Sequence, residues 1–107
     1  VDRDPTGRSG ASFARSAGGL RQQFSRRENV QMSLYGRDFV RRASELLSTP
    51  EHPHCDLHFV EGGYLFLAST EAGRQQMIEN HAVQRDAGVT DVRLLAPDEL
   101  RRQFGVK

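Results

Sequence analysis

Residues 25–47 carry a helical signal that leaves little freedom of fold. Ser25-Arg26-Arg27-Glu28 has the S-x-x-E form of a capping box, in which serine and glutamate satisfy orphan backbone N–H groups reciprocally, so a helix is expected to begin at Arg26. Beyond it Met32, Tyr35, Phe39, Ala43 and Leu46 recur at steps of three and four, and Val30, Leu34, Val40 and Leu47 widen the stripe. That period predicts one amphipathic helix to about Leu47, with the Met and aromatic stripe as its core face. Gly36 inside it costs about 1 kcal/mol relative to Ala and is a candidate for a close contact.

The remaining segments have to pack around that helix. Residues 48–56, STPEHPHCD, read as a loop on their two prolines. Residues 57–69 read as a β-hairpin turning at Gly62-Gly63, a pair that accepts the positive dihedrals of a type I′ turn, with Phe59 opposite Phe66 and Val60 opposite Leu65. Tyr64 to Leu67 is apolar on both faces, so this strand is expected to be covered on both sides. A lone two-stranded hairpin is barely stable, and no flanking strand is evident, so the segment reads as part of a larger sheet. Ser69 or Thr70 caps a second helix from Glu71 to about Ala87, with Met77, Ile78, His81 and Ala82 on its buried side and Gly88 as its stop. Val92 to Leu95 reads as a short strand. Pro97, at the first position of a third helix with Asp98 and Glu99 in its first turn, leads to a close at Phe104 and Gly105. The expected class is α+β, with three helices and a β-hairpin.

Charge and cysteine content remove several functions. With 15 basic against 14 acidic residues, net +1, nothing favours nucleic acid or an anionic membrane as the main partner. The longest apolar runs fall far short of the roughly 20 residues a membrane span needs. One cysteine, Cys55, excludes an internal disulfide and fits a reducing compartment. His52, His54, Cys55 and His58 form one tight cluster, whereas closed zinc sites usually draw ligand pairs from two separated segments; a solvated loop of histidines is the alternative, and no metal is expected. The chain begins VDRDPT with no apolar signal region, and it reads as an internal piece of a longer chain.

The stretch suited to gripping a ligand precedes the first helix. Residues 11–25, ASFARSAGGLRQQFS, set Ser12, Ser16, Gly18 and Gly19 close together and follow them with the fixed cation of Arg21. Small side chains and glycine backbone allow close approach to something flat or anionic; an ordinary flexible turn is the other reading of a Gly-Gly pair. Before it, Val1-Asp2-Arg3-Asp4 followed by Pro5 looks like a strand end running into a turn. An acidic residue at that place in a dinucleotide-binding βαβ unit accepts hydrogen bonds from the adenosine ribose, although a surface carboxylate remains the alternative for Asp2. The G-x-G-x-x-G stretch expected about twenty residues upstream is not in this sequence.

In order, VDRDPT, then SAGGLRQQFS, ENVQMSLYGRDFVRR, GGYLFLAS and a closing L-x-P-D-E-L-R helix resemble the D-amino-acid oxidase type of FAD-dependent oxidoreductase, the superfamily of sarcosine oxidase and dimethylglycine dehydrogenase. The resemblance spans essentially the whole chain, and SAGGLRQQFS with ENVQMSLY is its specific part. It implies a piece of an α/β, Rossmann-like FAD-binding domain (residues 1–47) joined to the start of a mixed-sheet substrate domain (residues 48–107). It implies that Asp2 and Arg3 lie at the adenosine, that Ser12, Ser16, Ala17, Gly18 and Gly19 follow the cofactor to its ring, and that Arg21 and Gln23 face the substrate cavity. For Arg21 a substrate carboxylate and a structural salt bridge both remain open. Some relatives tether the flavin through a histidine in this loop; here there is none, so non-covalent FAD is expected. The implied reaction is hydride transfer from the carbon beside the nitrogen of a small amine or amino acid, with catalytic groups outside this stretch. The resemblance also implies a mitochondrial site, at the matrix or inner-membrane face, or the cytoplasm in a bacterium. Respiratory complex I subunits or assembly factors are the implied macromolecular partners. A non-catalytic assembly module docking through Arg37, Arg41 and Arg42 is the rival reading.

Overall fold

A computed structural model describes residues 16–106, so Asp2, Arg3, Ser12 and the expected first strand end lie outside the described residues. Four helices follow in order: α1 (Arg27–Arg41), α2 (Ala43–Leu47), α3 (Glu71–Asp86) and α4 (Pro97–Phe104). The expected single helix to Leu47 is therefore two. Arg42 leaves helical dihedrals at φ −98, ψ 10, and its N–H is shared between the carbonyls of Asp38 (3.1 Å) and Phe39 (3.2 Å), the tightening seen where an α-helix ends in a 3₁₀ turn.

The capping box does not form. The N-cap is Arg26, with φ −111 and ψ 133 and no side-chain cap bond, so Glu28 sits at the second helical position instead of the third and cannot reach back to Ser25. Glu28 still favours the positive end of the helix dipole. For α3 the local signals hold: Thr70 Oγ1 accepts the N–H of Gly73 at 3.1 Å. Its carboxyl end closes as a Schellman motif, in which Gly88 N–H donates to Arg85 O (3.1 Å) and Val89 N–H to Gln84 O (3.0 Å), with Gly88 at φ 104. For α4, Glu99 accepts the Ala96 N–H at 3.1 Å, and Gly105, at φ 64, donates to Arg101 O. Alanine offers no acceptor, so only this limb of a capping box is made.

Neither the hairpin of residues 57–69 nor the short strand at 92–95 is realised, and among the described residues no β-strand occurs. Only Gly63 (φ 76) of the Gly-Gly pair has positive φ, and Gly62 N–H donates to Val60 O at 3.2 Å, so the turn is not type I′. Within the segment Tyr64 and Phe66 are stacked 6.5 Å apart, yet among the described residues no strand pairs with it, and Tyr64, Leu65, Phe66 and Leu67 stay exposed.

The interior is small. Val30, Ala43 and Val89 form the buried apolar centre, with Gln84 beside them at 4% exposure. The face of α1 that turns inward runs through Val30, Ser33, Leu34, Arg37 and Val40. The expected core stripe is thereby corrected: Met32 is 72% exposed and Tyr35 76%. The apolar arc of α1 is wider than the surface offered to it.

Candidate functional site

The glycine end of the ribbon is fixed to the helices by side-chain bonds to its main chain. Ser33 of α1 donates to Arg21 O, and Gln84 of α3 donates to Phe24 O at 3.1 Å. From the ribbon itself, Gln23 Nε2 donates to Tyr64 O at 3.3 Å, tying it to the extended segment. Ser16 Oγ accepts the N–H of Gly18 at 3.1 Å, which steadies a residue at φ 62. Gly19 has a different reason to be glycine: a Cβ there would overlap Tyr64 Oη.

These attachments enclose a cleft of about 620 Å³ between Gly18, Gly19, Gln22 and Gln23 on one wall and residues 57–64 on another, with Arg37 and Asp91 at its side. Both acids on its walls are paired. Arg37, whose side chain is 15% exposed, donates to Asp91 at 3.0 Å, and Arg41 Nε reaches both oxygens of Glu61 at 3.1 and 3.2 Å. Among the described residues Gln22 Nε2 is buried without an acceptor. Such an atom has lost its water and gained no partner in exchange.

The other expected site residues distribute unevenly. Gly18, Gly19 and Gln23 line the cleft, whereas Ser16, Ala17 and Arg21 do not. The Arg21 guanidinium lies over the rings of Phe24 (4.8 Å) and Phe66 (5.5 Å), a cation–π arrangement, and among the described residues no carboxylate pairs with it. Tyr64 was missed as a site residue, being read only as part of an apolar strand; its partner Gly19 is too distant in sequence for any local pattern to couple them. The histidines and Cys55 do not assemble: Cys55 and His54 edge a second hollow of about 450 Å³, His58 faces Asp56 at 3.2 Å, and among the described residues no three metal-ligating side chains come together.

The arginine face of α1 is electrically spent. Arg37 and Arg41 are paired as above, and Arg42 donates to both carboxylate oxygens of Glu45 at 3.0 and 2.9 Å. Hydrogen bonding to Glu61 raises the pKa of Arg41, that to Glu45 raises that of Arg42, and the Arg42 guanidinium in turn lowers that of Glu45.

Compared with known proteins, the family model described as FAD dependent oxidoreductase matches residues 1–107. The chain belongs to the FAD dependent oxidoreductase family. It is similar to FAD-dependent oxidoreductase domain-containing protein 1 of Xenopus laevis, at 50% identity over 104 residues, covering 97% of this chain and 20% of the relative. The Bos taurus protein of that name is 43% identical over 97% of this chain and 21% of its own length. A Drosophila melanogaster homolog is 36% identical over 97% of this chain and 19% of its own length. The chain thus spans about a fifth of the length of the curated relatives it matches. No solved structure matches it.

FAD is the cofactor of this family, and the cleft suits the ring of such a group. Around Gly18 a Cβ would meet nothing within 4 Å, so a flat aromatic system has room to lie on bare backbone there. Gly18 and Gly19 are the cleft residues here that would lie against it. Among the described residues no helix is long and apolar enough to cross a membrane.

Proposed function

We propose that this chain is the part of an FAD-dependent oxidoreductase where the cofactor domain, residues 1–47, passes into the substrate domain, residues 48–107. The whole protein then oxidises a C–N bond of a small amine or amino acid of the sarcosine or dimethylglycine kind. The observation that carries this reading is the convergence of Gly18, Gly19, Gln22 and Gln23 with residues 57–64 on one cleft whose two acids are ion-paired. Bound FAD supplies the two-electron acceptor, held without a covalent link.

The chain's own residues do the positioning. Gly18 and Gly19 would keep the ring's place free of side chains. Gln23 holds the substrate-side segment to the ribbon through Tyr64 O. Arg21, flat on Phe24 and Phe66, presents a pre-oriented fork to a substrate carboxylate. Asp2, Arg3, Ser12, Ser16 and Ala17 complete the cofactor's path toward the adenosine. The residues that move protons lie elsewhere in the whole protein.

The setting we propose is the mitochondrial matrix or inner-membrane face, with complex I subunits or assembly factors as partners. Arg37, Arg41 and Arg42 are already ion-paired, and the cleft rather than that surface favours the enzyme reading over an adaptor. Expression of the full-length protein, identification of released FAD and a screen of N-methylated glycines and amino acids test it. A folded full-length product without flavin overturns the cofactor assignment, and a flavoprotein reduced by none of these substrates overturns the C–N assignment.

A further inference from the structure

We propose that Tyr64 is a positioning residue for the flavin, setting through Gly19 how deeply the ring seats on the ribbon; this rests on the flavin reading of the cleft. Two observations carry it. Gly19 does not need glycine for its dihedrals, since it is absent from the positive-φ positions, which include its neighbour Gly18. Tyr64 Oη fills the place a Cβ would take, so an alanine there would force the phenol to shift, while Tyr64 Cζ stands 3.5 Å from that point, an ordinary van der Waals distance. The conflict is thus with a single oxygen atom.

Tyr64 is also held in place on both sides of that contact. Its carbonyl accepts from Gln23 Nε2 at 3.3 Å, and its ring stacks on Phe66, over which Arg21 lies. The phenol therefore belongs to the same connected group as the ribbon. It lines the cleft beside Gly18 and Gly19, so a ring seated on that backbone meets the phenol at its border.

The atom-level conflict gives a suppressor test in the full-length protein. Apoprotein is titrated with FAD for wild type, Gly19→Ala, Tyr64→Phe and the double variant, and apoprotein melting is followed for all four. Gly19→Ala should weaken FAD binding about tenfold, Tyr64→Phe should bind within about threefold of wild type, and the double variant should return to the Tyr64→Phe value, because removing the oxygen makes room for the methyl. A phenol beside the ring quenches flavin fluorescence, so bound FAD should be brighter in Tyr64→Phe, a change that a purely structural contact would not produce. Gly19→Ala binding as wild type does, or a double variant as weak as Gly19→Ala, overturns the assignment, as does unchanged brightness in Tyr64→Phe. A wild-type reference that takes up no FAD defeats the flavin reading instead.

Discussion

The bond from Gln84 to Phe24 O is one of two by which the helices hold the glycine-bearing ribbon, and replacing Gln84 by leucine should loosen that grip locally. Gln84 is 4% exposed and donates at 3.1 Å to a carbonyl immediately before α1. Leucine keeps the bulk but strands the carbonyl, and a buried group left unsatisfied costs about 1–3 kcal/mol. Two corrections work against that cost: Phe24 is only half-buried, so water reaches its carbonyl in part, and leucine gains roughly 0.8 kcal/mol for each buried methylene equivalent. A net local loss of about 1–2 kcal/mol remains, a factor of roughly 5–30 in the opening equilibrium. Hydrogen exchange of the full-length protein reads it directly. Peptides covering residues 22–30 and 84–89 should exchange faster by that factor, while those covering α4, which does not touch Gln84, should be unchanged. Unchanged exchange at residues 22–30, or acceleration spread evenly over the chain, would refute the idea that this one bond anchors the ribbon.

Four further outcomes follow from the geometry. Thr70→Ala should destabilise α3 by about 1 kcal/mol, read as a lower melting temperature, with Thr70→Ser close to wild type because it keeps the cap oxygen. Gly88→Ala should cost about 1–2 kcal/mol through its left-handed φ of 104, since its Cβ would meet only Leu34 Cδ1 at an ordinary 3.8 Å. Glu45, its pKa lowered by Arg42, contributes stability that is present above its unfolded pKa and fades as pH falls through its folded one; an NMR titration of its carboxyl should show a midpoint below the usual glutamate range, returning to normal in Arg42→Gln. If Arg21 holds the substrate carboxylate, Arg21→Met should raise KM about ten- to hundredfold with FAD content unchanged, whereas a purely structural Arg21 would lower the melting temperature and leave KM alone.

The helices were legible because their determinants are local. Thr70, Gly88, Pro97 and Gly105 act within a few residues of their own positions, and each works where the sequence places it. The capping box at Ser25 and Glu28 shows how thin that margin is: a start one residue later moves Glu28 to a position from which it cannot close the box. Residues 57–69 failed for the opposite reason. Alternation and a Gly-Gly pair describe a strand's surface, but a ladder needs a neighbour to accept its N–H groups, and among the described residues none pairs with it. The same limit exposed Met32 and Tyr35, because a helical stripe says which residues are apolar and not which arc finds a partner.

The cleft falls between these cases, and Gly18-Gly19 shows where legibility stops. Small residues there were enough to mark a place where backbone lies open to a ligand, and Gly18 and Gly19 do line the cleft. The two glycines nevertheless have different physical causes, one a left-handed φ and the other the oxygen of a tyrosine brought in by tertiary contact. The first is a property of one residue and is suggested by its type; the second belongs to a pair and exists only once the chain is folded. Substitution separates them: an alanine at position 18 is opposed by its own backbone whatever stands at position 64, and an alanine at position 19 is opposed only while position 64 carries a hydroxyl.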